Sequence, residues 1–227
     1  MAQTIIADRL IDWDYVRVVP CGGVTGVHRG FDPVVLEEND EILIQRDALG
    51  RRVKLIKASA TIPLPLDHPV RDMESWLAVK PFFEFREDRV DPDAVLRAKE
   101  AQAGGALVVA SIPGGFDIPR ELMGEELACR CYYEQPELMQ DILSTLRSTA
   151  LQVLERVTDL LVIDQLSVHE DLAGKPGPLI GPRQMRQFIT PYYRRIWDLV
   201  QSRGARLFWI DSDGDITPIL PQLIEGG

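Results

Sequence analysis

The chain has 227 residues, 45% hydrophobic and 26% charged, with a formal net charge of −10 and a pI near 4.8. That is enough apolar material for one domain with a sizeable core, while the acidic balance and the lack of any basic block exclude a nucleic-acid binder or a protein of anionic membrane surfaces. No apolar run approaches the roughly 18 residues of a membrane-spanning helix, and three cysteines (Cys21, Cys129 and Cys131) are too few and too odd in number for a disulfide framework.

The amino-terminal stretch MAQTIIADRLIDWDYVRV carries acidic residues early and no signal-peptide core, so a cytoplasmic location is expected. Within it, VRVV at 16–19 predicts a strand. The glycine-rich Cys21-Gly22-Gly23-Val24-Thr25-Gly26 invites a phosphate-loop reading, but it lacks the Lys-Ser/Thr pair and no clear helix follows. It is read as a turn. Residues 41–62 hold two alternating runs around Ala48-Leu49-Gly50, which predicts a β-hairpin closed by Gly50. Arg51-Arg52 on this hairpin is read as solvated, and Asp67-His68-Pro69 as a turn with His68 at the surface.

Helices are expected over 72–80 and 93–103, started by Asp72 and by Asp91-Pro92-Asp93, with Gly104-Gly105 ending the second. The continuous apolar run Ala106–Ser111 predicts a buried strand, and Pro113-Gly114-Gly115 a loop. From Pro136 onward Leu138, Met139, Ile142, Leu146, Val153 and Leu154 lie near one helical face. This helix leads to Leu160–Ile163, read as the core of a second strand over 159–164. After Pro182, the residues Met185, Phe188, Ile189, Ile196, Trp197 and Val200 keep helical spacing. Pro191 should kink that helix near residue 190, and Gly204 should end it. A third strand is expected over 205–210 and a last helix from Pro218.

Helical crossovers predict that the strands at 106–111, 159–164 and 205–210 are parallel neighbours in sequence order. Their following loops would then leave one end of the sheet, the carboxyl end, where α/β folds place ligands. Those loops carry Asp164, His169, Glu170 and Asp171, then Asp211, Asp213 and Asp215. Crowded carboxylates suit general acid/base work or the holding of a cation or a cationic substrate part. Asp164, Glu170, Asp171, Asp211 and Asp213 are therefore the candidate catalytic residues, with convergence of Asp164, Glu170 and Asp211 on one cavity expected. The alternative is that some of them cap helices or accept backbone N–H groups. His169 could shuttle protons or bind a metal, or simply pack. Arg120, after the Gly114-Gly115 loop, is the candidate for a substrate anion, with a plain surface-helix arginine as the alternative. Cys129 and Cys131 point to different helix faces and are read as core or surface residues.

The string from His169-Glu170-Asp171-Leu172-Ala173 through Lys175-Pro176-Gly177-Pro178-Leu179-Ile180-Gly181-Pro182 resembles the acidic loop of the uroporphyrinogen decarboxylase superfamily, which commonly runs E-D-M/L-A and then K-x-G-P-L-I-S-P. Tyr192-Tyr193-Arg194-Arg195, Asp211-Ser212-Asp213-Gly214-Asp215, Gly115-Phe116, Arg120-Glu121-Leu122-Met123-Gly124 and Pro136-Glu137-Leu138 also fit. The resemblance covers roughly residues 33–225 and is strongest to the uncharacterised branch. It implies a TIM-barrel-like (β/α)8 α/β domain, tetrapyrrole decarboxylation or corrinoid-linked methyl transfer, a small-molecule substrate, and a corrinoid protein as partner; homodimerisation is left open. Eight units at this spacing would exceed the chain, so the barrel is expected to lack its last strands here, leaving an exposed apolar scar and a self-associating segment. The corrinoid-linked methyltransferases of the superfamily carry a zinc site with His-x-Cys after the strand matching 205–210. Asp211 and Asp213 stand there instead, so no tight zinc site is expected in this loop. No counterpart of the decarboxylases' arginine-rich motif is present. A binding member without the catalytic set is the competing class.

Overall fold

The computed structural model describes residues 16–227. Most of the amino-terminal stretch read above for targeting signals lies outside them. Among the described residues no helix is long and apolar enough to cross a membrane.

After β1 (Val18–Pro20), the strands β2 (Val34–Glu38), β3 (Ile42–Arg46), β4 (Arg52–Ile56) and β5 (Leu64–Pro65) form an antiparallel sheet in that order. The expected hairpin is β3–β4, and Gly50 adopts φ +90 at its turn. Arg51 is not solvated. Its guanidinium lies 2.8 Å from Asp47 and 2.5 Å from Glu121, tying the hairpin to the main body. His68 is half-buried rather than free at the surface, with Nδ1 3.1 Å from the Glu121 carbonyl oxygen.

Helices α1 (Met73–Val79) and α2 (Pro92–Ala103) begin where the capping residues demand. Asp72 and Ser75 form a reciprocal capping box, and Asp91 accepts the N–H groups of Asp93 and Ala94 at 3.0 and 3.2 Å, with Pro92 in the first turn. Between these helices the buried Arg89 donates to the backbone oxygens of Glu84, Val24, Gly26 and Phe82, pinning the loop after β1.

The second sheet is fully parallel, in the order β1, β6 (Leu107–Ile112), β7 (Gln165–His169) and β10 (Leu207–Asp211). Helices α3 (Asp117–Met123), α4 (Glu125–Glu134) and α5 (Pro136–Thr158) connect β6 to β7. The strand pairs β8 (Ala173–Gly174) and β9 (Gly177–Pro178) form a small ribbon after β7. Helix α6 (Thr190–Ser202) leads to β10, and α7 (Leu220–Gly226) follows it. Pro191, which has no amide hydrogen, sits in the first turn of α6, and the helix reaches it through a π turn over Met185–Ile189. Gly204, at φ +106, ends α6.

One expected strand is displaced. Leu160–Ile163 lies in the turn after α5, and the ladder begins at Gln165. Asp164 therefore precedes β7 instead of following it.

The two faces of the parallel sheet differ. Val108, Ala110, Ile112, Leu166 and Val168 are buried and join the core formed with α5 and α6. On the other face Val18, Leu207 and Trp209 are each at least half exposed. The described residues do not close a barrel; β1 and β10 are the sheet's two edges.

Candidate functional site

The carboxyl ends of β6 and β7 meet at the loop Pro113–Phe116. Gly114 is required there, because a Cβ would stand 2.6 Å from the His169 carbonyl oxygen and 2.8 Å from Glu170 Oε2. Three tyrosines hold the loop. Tyr192 Oη donates to the Pro113 carbonyl and Tyr132 Oη to that of Gly115, each at 2.7 Å, while the Gly115 N–H donates to Tyr193 Oη at 3.2 Å.

Glu170 lies beneath this loop and is fully buried. Its carboxylate accepts the N–H of Phe116 at 3.1 Å, the N–H of Asp117 at 2.8 Å, and the Tyr193 hydroxyl. It thus caps the start of α3. Burial pushes its pKa up to about 7, against the opposing pull of these donors. With no exposed surface and these three donors on its oxygens, Glu170 organises the loop.

His169, the last residue of β7, is exposed on the face of the sheet opposite the core. Its Nδ1 is 3.3 Å from Asp117 Oδ2 and its Nε2 4.0 Å from Asp171 Oδ1. Partial burial pulls its pKa down. The hydrogen bond and charge of Asp117, with the charges of Asp171 and Asp211, outweigh that and raise it. The same Arg120 nitrogen, Nη2, contacts Asp117 Oδ1 at 2.5 Å and Asp171 Oδ2 at 2.6 Å. Arg120 Nε is buried and has no hydrogen-bond partner among the described residues. His169, Asp171 and Arg120 are thus brought together with Asp117, which sequence reading missed. Its spacing three residues before Arg120, one helical turn, was the available signal.

Asp211 pairs with His169 across the β7–β10 ladder, and its side chain is exposed beside that ring. Asp213 is exposed in the next loop, where Ser212 Oγ accepts the Leu172 N–H at 3.1 Å. Asp164 stands at the opposite, amino end of the sheet. Its Oδ2 accepts the Val108 N–H at 2.8 Å and the Gln102 side-chain amide at 2.7 Å. The expected convergence of Asp164 with Glu170 and Asp211 fails for that reason: Asp164 joins α2 to β6.

A cleft of about 330 Å³ opens between the Gly23–Gly26 loop and Ser111–Pro113, also at the carboxyl end, where Thr25 Oγ1 donates to the Ser111 carbonyl at 2.6 Å. A larger cleft, about 730 Å³, lies along α5, lined by Ser144, Arg147 and Ser148, away from the strand ends.

No known protein family matches the chain, and no curated protein matches it. A solved methyltransferase from Methanosarcina mazei is similar in fold, with a TM-score of 0.53 at 16% identity, over 79% of this chain and 51% of that one. The chain spans about half the length of that methyltransferase. At this identity the likeness is one of fold.

Proposed function

We propose a uroporphyrinogen decarboxylase-like enzyme of the methyl-transferring kind, which takes a methyl group from a small molecule and uses His169 as its proton donor. The observation that carries this reading is the seat of His169. It ends β7 on the face opposite the core, between Asp117 and Asp171, with its proton affinity raised by the Asp117 hydrogen bond and by their charge. Such a group can be protonated near neutral pH and still give its proton up.

In the reaction the bond between the methyl carbon and its oxygen, nitrogen or sulfur breaks, and the electron pair stays on the heteroatom. His169 delivers a proton there. The acceptor supplies the pair for the new bond to carbon; in the resembled enzymes it is a corrinoid carried by a partner protein, which is here a substrate. Asp117 and Asp171 hold the ring and stabilise its charged form before transfer. Methyl transfer is preferred to decarboxylation for two reasons. The similar solved structure is a methyltransferase, and Arg120 is already neutralised by two carboxylates, which leaves little positive charge for a tetrapyrrole acid.

The test offers O-, N- and S-methylated small molecules to the purified chain with free reduced cobalamin, followed by visible absorbance. One class should be demethylated. His169→Ala should lower the rate about 100-fold or more, whereas Asp164→Ala should leave it unchanged. A second reading, a binding member without turnover, draws on the full commitment of Glu170 to the loop. Calorimetric binding of a methylated compound without methyl transfer would favour it, and full activity in His169→Ala would refute the assigned role.

A further inference from the structure

Zinc is the metal that the methyltransferase resemblance implies, and the donor set at this rim differs from a zinc-thiolate site. The Asp211 loop offers carboxylates and one hydroxyl. The buried Cys21 and the helix residues Cys129 and Cys131 all have thiols raised by burial. A thiol-activating zinc site does not fit there. Among the described residues, the group whose ligand atoms do converge is Asp117, His169 and Asp171, one atom from each lying within 4.8 Å of the others. One imidazole nitrogen and two carboxylate oxygens suit a borderline divalent cation.

Both carboxylates already carry a cation, on Asp117 Oδ1 and Asp171 Oδ2, the oxygens turned away from His169. A single nitrogen of Arg120 lies 2.5 Å from Asp117 and 2.6 Å from Asp171. A guanidinium does not deprotonate in proteins, so it cannot become a ligand. A dication entering between His169 and these carboxylates would meet the like charge of the guanidinium across the same two carboxylates, whose negative charge it already neutralises. Arg120 comes from the same helix as Asp117, so the cation is supplied by the fold.

We infer that Arg120 occupies the cation position of this site in place of a divalent metal, and that removing its guanidinium uncovers a metal site made by Asp117, His169 and Asp171. Arg120 is then a positioning residue. It ties the loop after β7 to the start of α3 and so fixes the His169 ring between its two carboxylates. This stands on the rim geometry and does not depend on which group the enzyme transfers, so its test needs no turnover.

Co²⁺ binding to the full chain is measured by calorimetry and visible absorption, for the wild type, Asp171→Asn, Arg120→Ala, and Arg120→Ala combined with Asp171→Asn. Arg120→Met, which keeps the aliphatic stem, guards against loss of fold, and thermal melts accompany every variant. The expected result is stoichiometric Co²⁺ in Arg120→Ala or Arg120→Met, bound at least about tenfold tighter than in the wild type, with imidazole–carboxylate absorption bands that vanish in the double variant. Stoichiometric metal in the wild type that Asp171→Asn removes would overturn the inference. So would folded Arg120 variants that bind Co²⁺ no better than the wild type.

Discussion

Glu170 shows how one buried carboxylate can set the pH response of a fold. Its pKa stands at about 7 against an ordinary 4.5. The folded protein therefore keeps this proton over a window where the unfolded chain has released it. Between about pH 4.5 and 7 the Glu170 contribution to stability falls as pH rises, then levels off. His169 acts in the same direction. Its raised pKa stabilises the fold fully below its ordinary 6.5, and that support is lost as pH rises through the folded value. Carboxylates with lowered pKa values, such as Asp141 beside Lys80 and Trp76, act oppositely and lose their support as pH falls. The Glu170 effect is thus isolated by comparing the wild type with Glu170→Gln. At pH 5 the variant should be less stable by about 3 kcal/mol, because an amide group faces backbone donors. Its deficit should also be about 2–3 kcal/mol smaller at pH 7.5 than at pH 5. Urea unfolding at the two pH values checks this; an equal deficit at both would show that Glu170 is not the titrating group. Gly114→Ala is expected to be more severe, by about 3 kcal/mol or more. Its new methyl would press on the His169 carbonyl oxygen, Asp117 Cβ and Glu170 Oε2, all within 2.8 Å. The readout is the melting temperature, and wild-type stability would refute the close fit of this loop.

At the scale of elements, Asp164 marks where the sequence was misleading. The run Leu160–Ile163 reads as a strand because it is apolar, yet it belongs to the turn after α5. Leu161 and Ile163 plug into the core there while Leu160 and Val162 face outward. The strand that follows has a quieter signal, the alternation of buried Leu166 and Val168 with Gln165, Ser167 and His169. A shift of this size moved Asp164 from one end of the sheet to the other. By contrast β6 and β10 lie within two residues of expectation, since Gly105 and Pro113 bracket the first and Gly204 precedes the second. The parallel order follows from the crossovers alone. Strand β2 was missed because VVLEE does not alternate and all five residues are exposed. The tyrosine support of the Pro113–Phe116 loop was illegible for another reason: Tyr192 and Tyr193 reach it across more than seventy residues of sequence, and no local spacing encodes such a contact. His169, Asp171 and Arg120 were found because strand ends and acidic loops can be read locally. If Asp164 serves as the clasp between α2 and β6, Asp164→Ala should lower stability by about 1–3 kcal/mol through the unsatisfied Val108 N–H. It should leave Co²⁺ binding by an Arg120→Ala background untouched. A change in that binding would place Asp164 back at the site.

For the molecule as a whole, the governing feature is the face of the parallel sheet that no helix covers among the described residues. Three rows cross it in register. Val109, Gln165 and Leu207 form the lowest, Ser111, Ser167 and Trp209 the next, and His169 and Asp211 the one at the carboxyl end. Polarity thus rises toward the candidate site, while the lower rows present Leu207 and Trp209 to solvent, with Val18 beyond them on β1. Apolar area of this kind on a sheet with two edges is a surface that associates. The 227-residue chain studied by itself is therefore expected to self-associate or to be poorly soluble, through this face and not through the charged outer helices. Trp209→Glu tests the location, since it places a charge in the centre of the exposed rows without touching the buried core beneath. Sedimentation velocity over a concentration series should show the wild type growing in mass and the variant remaining largely monomeric, with unchanged melting. A wild type that stays monomeric up to roughly 100 µM would refute the association. An equal rise in mass for both proteins would move it to another surface, with the exposed strands β2 and β5 the next to examine.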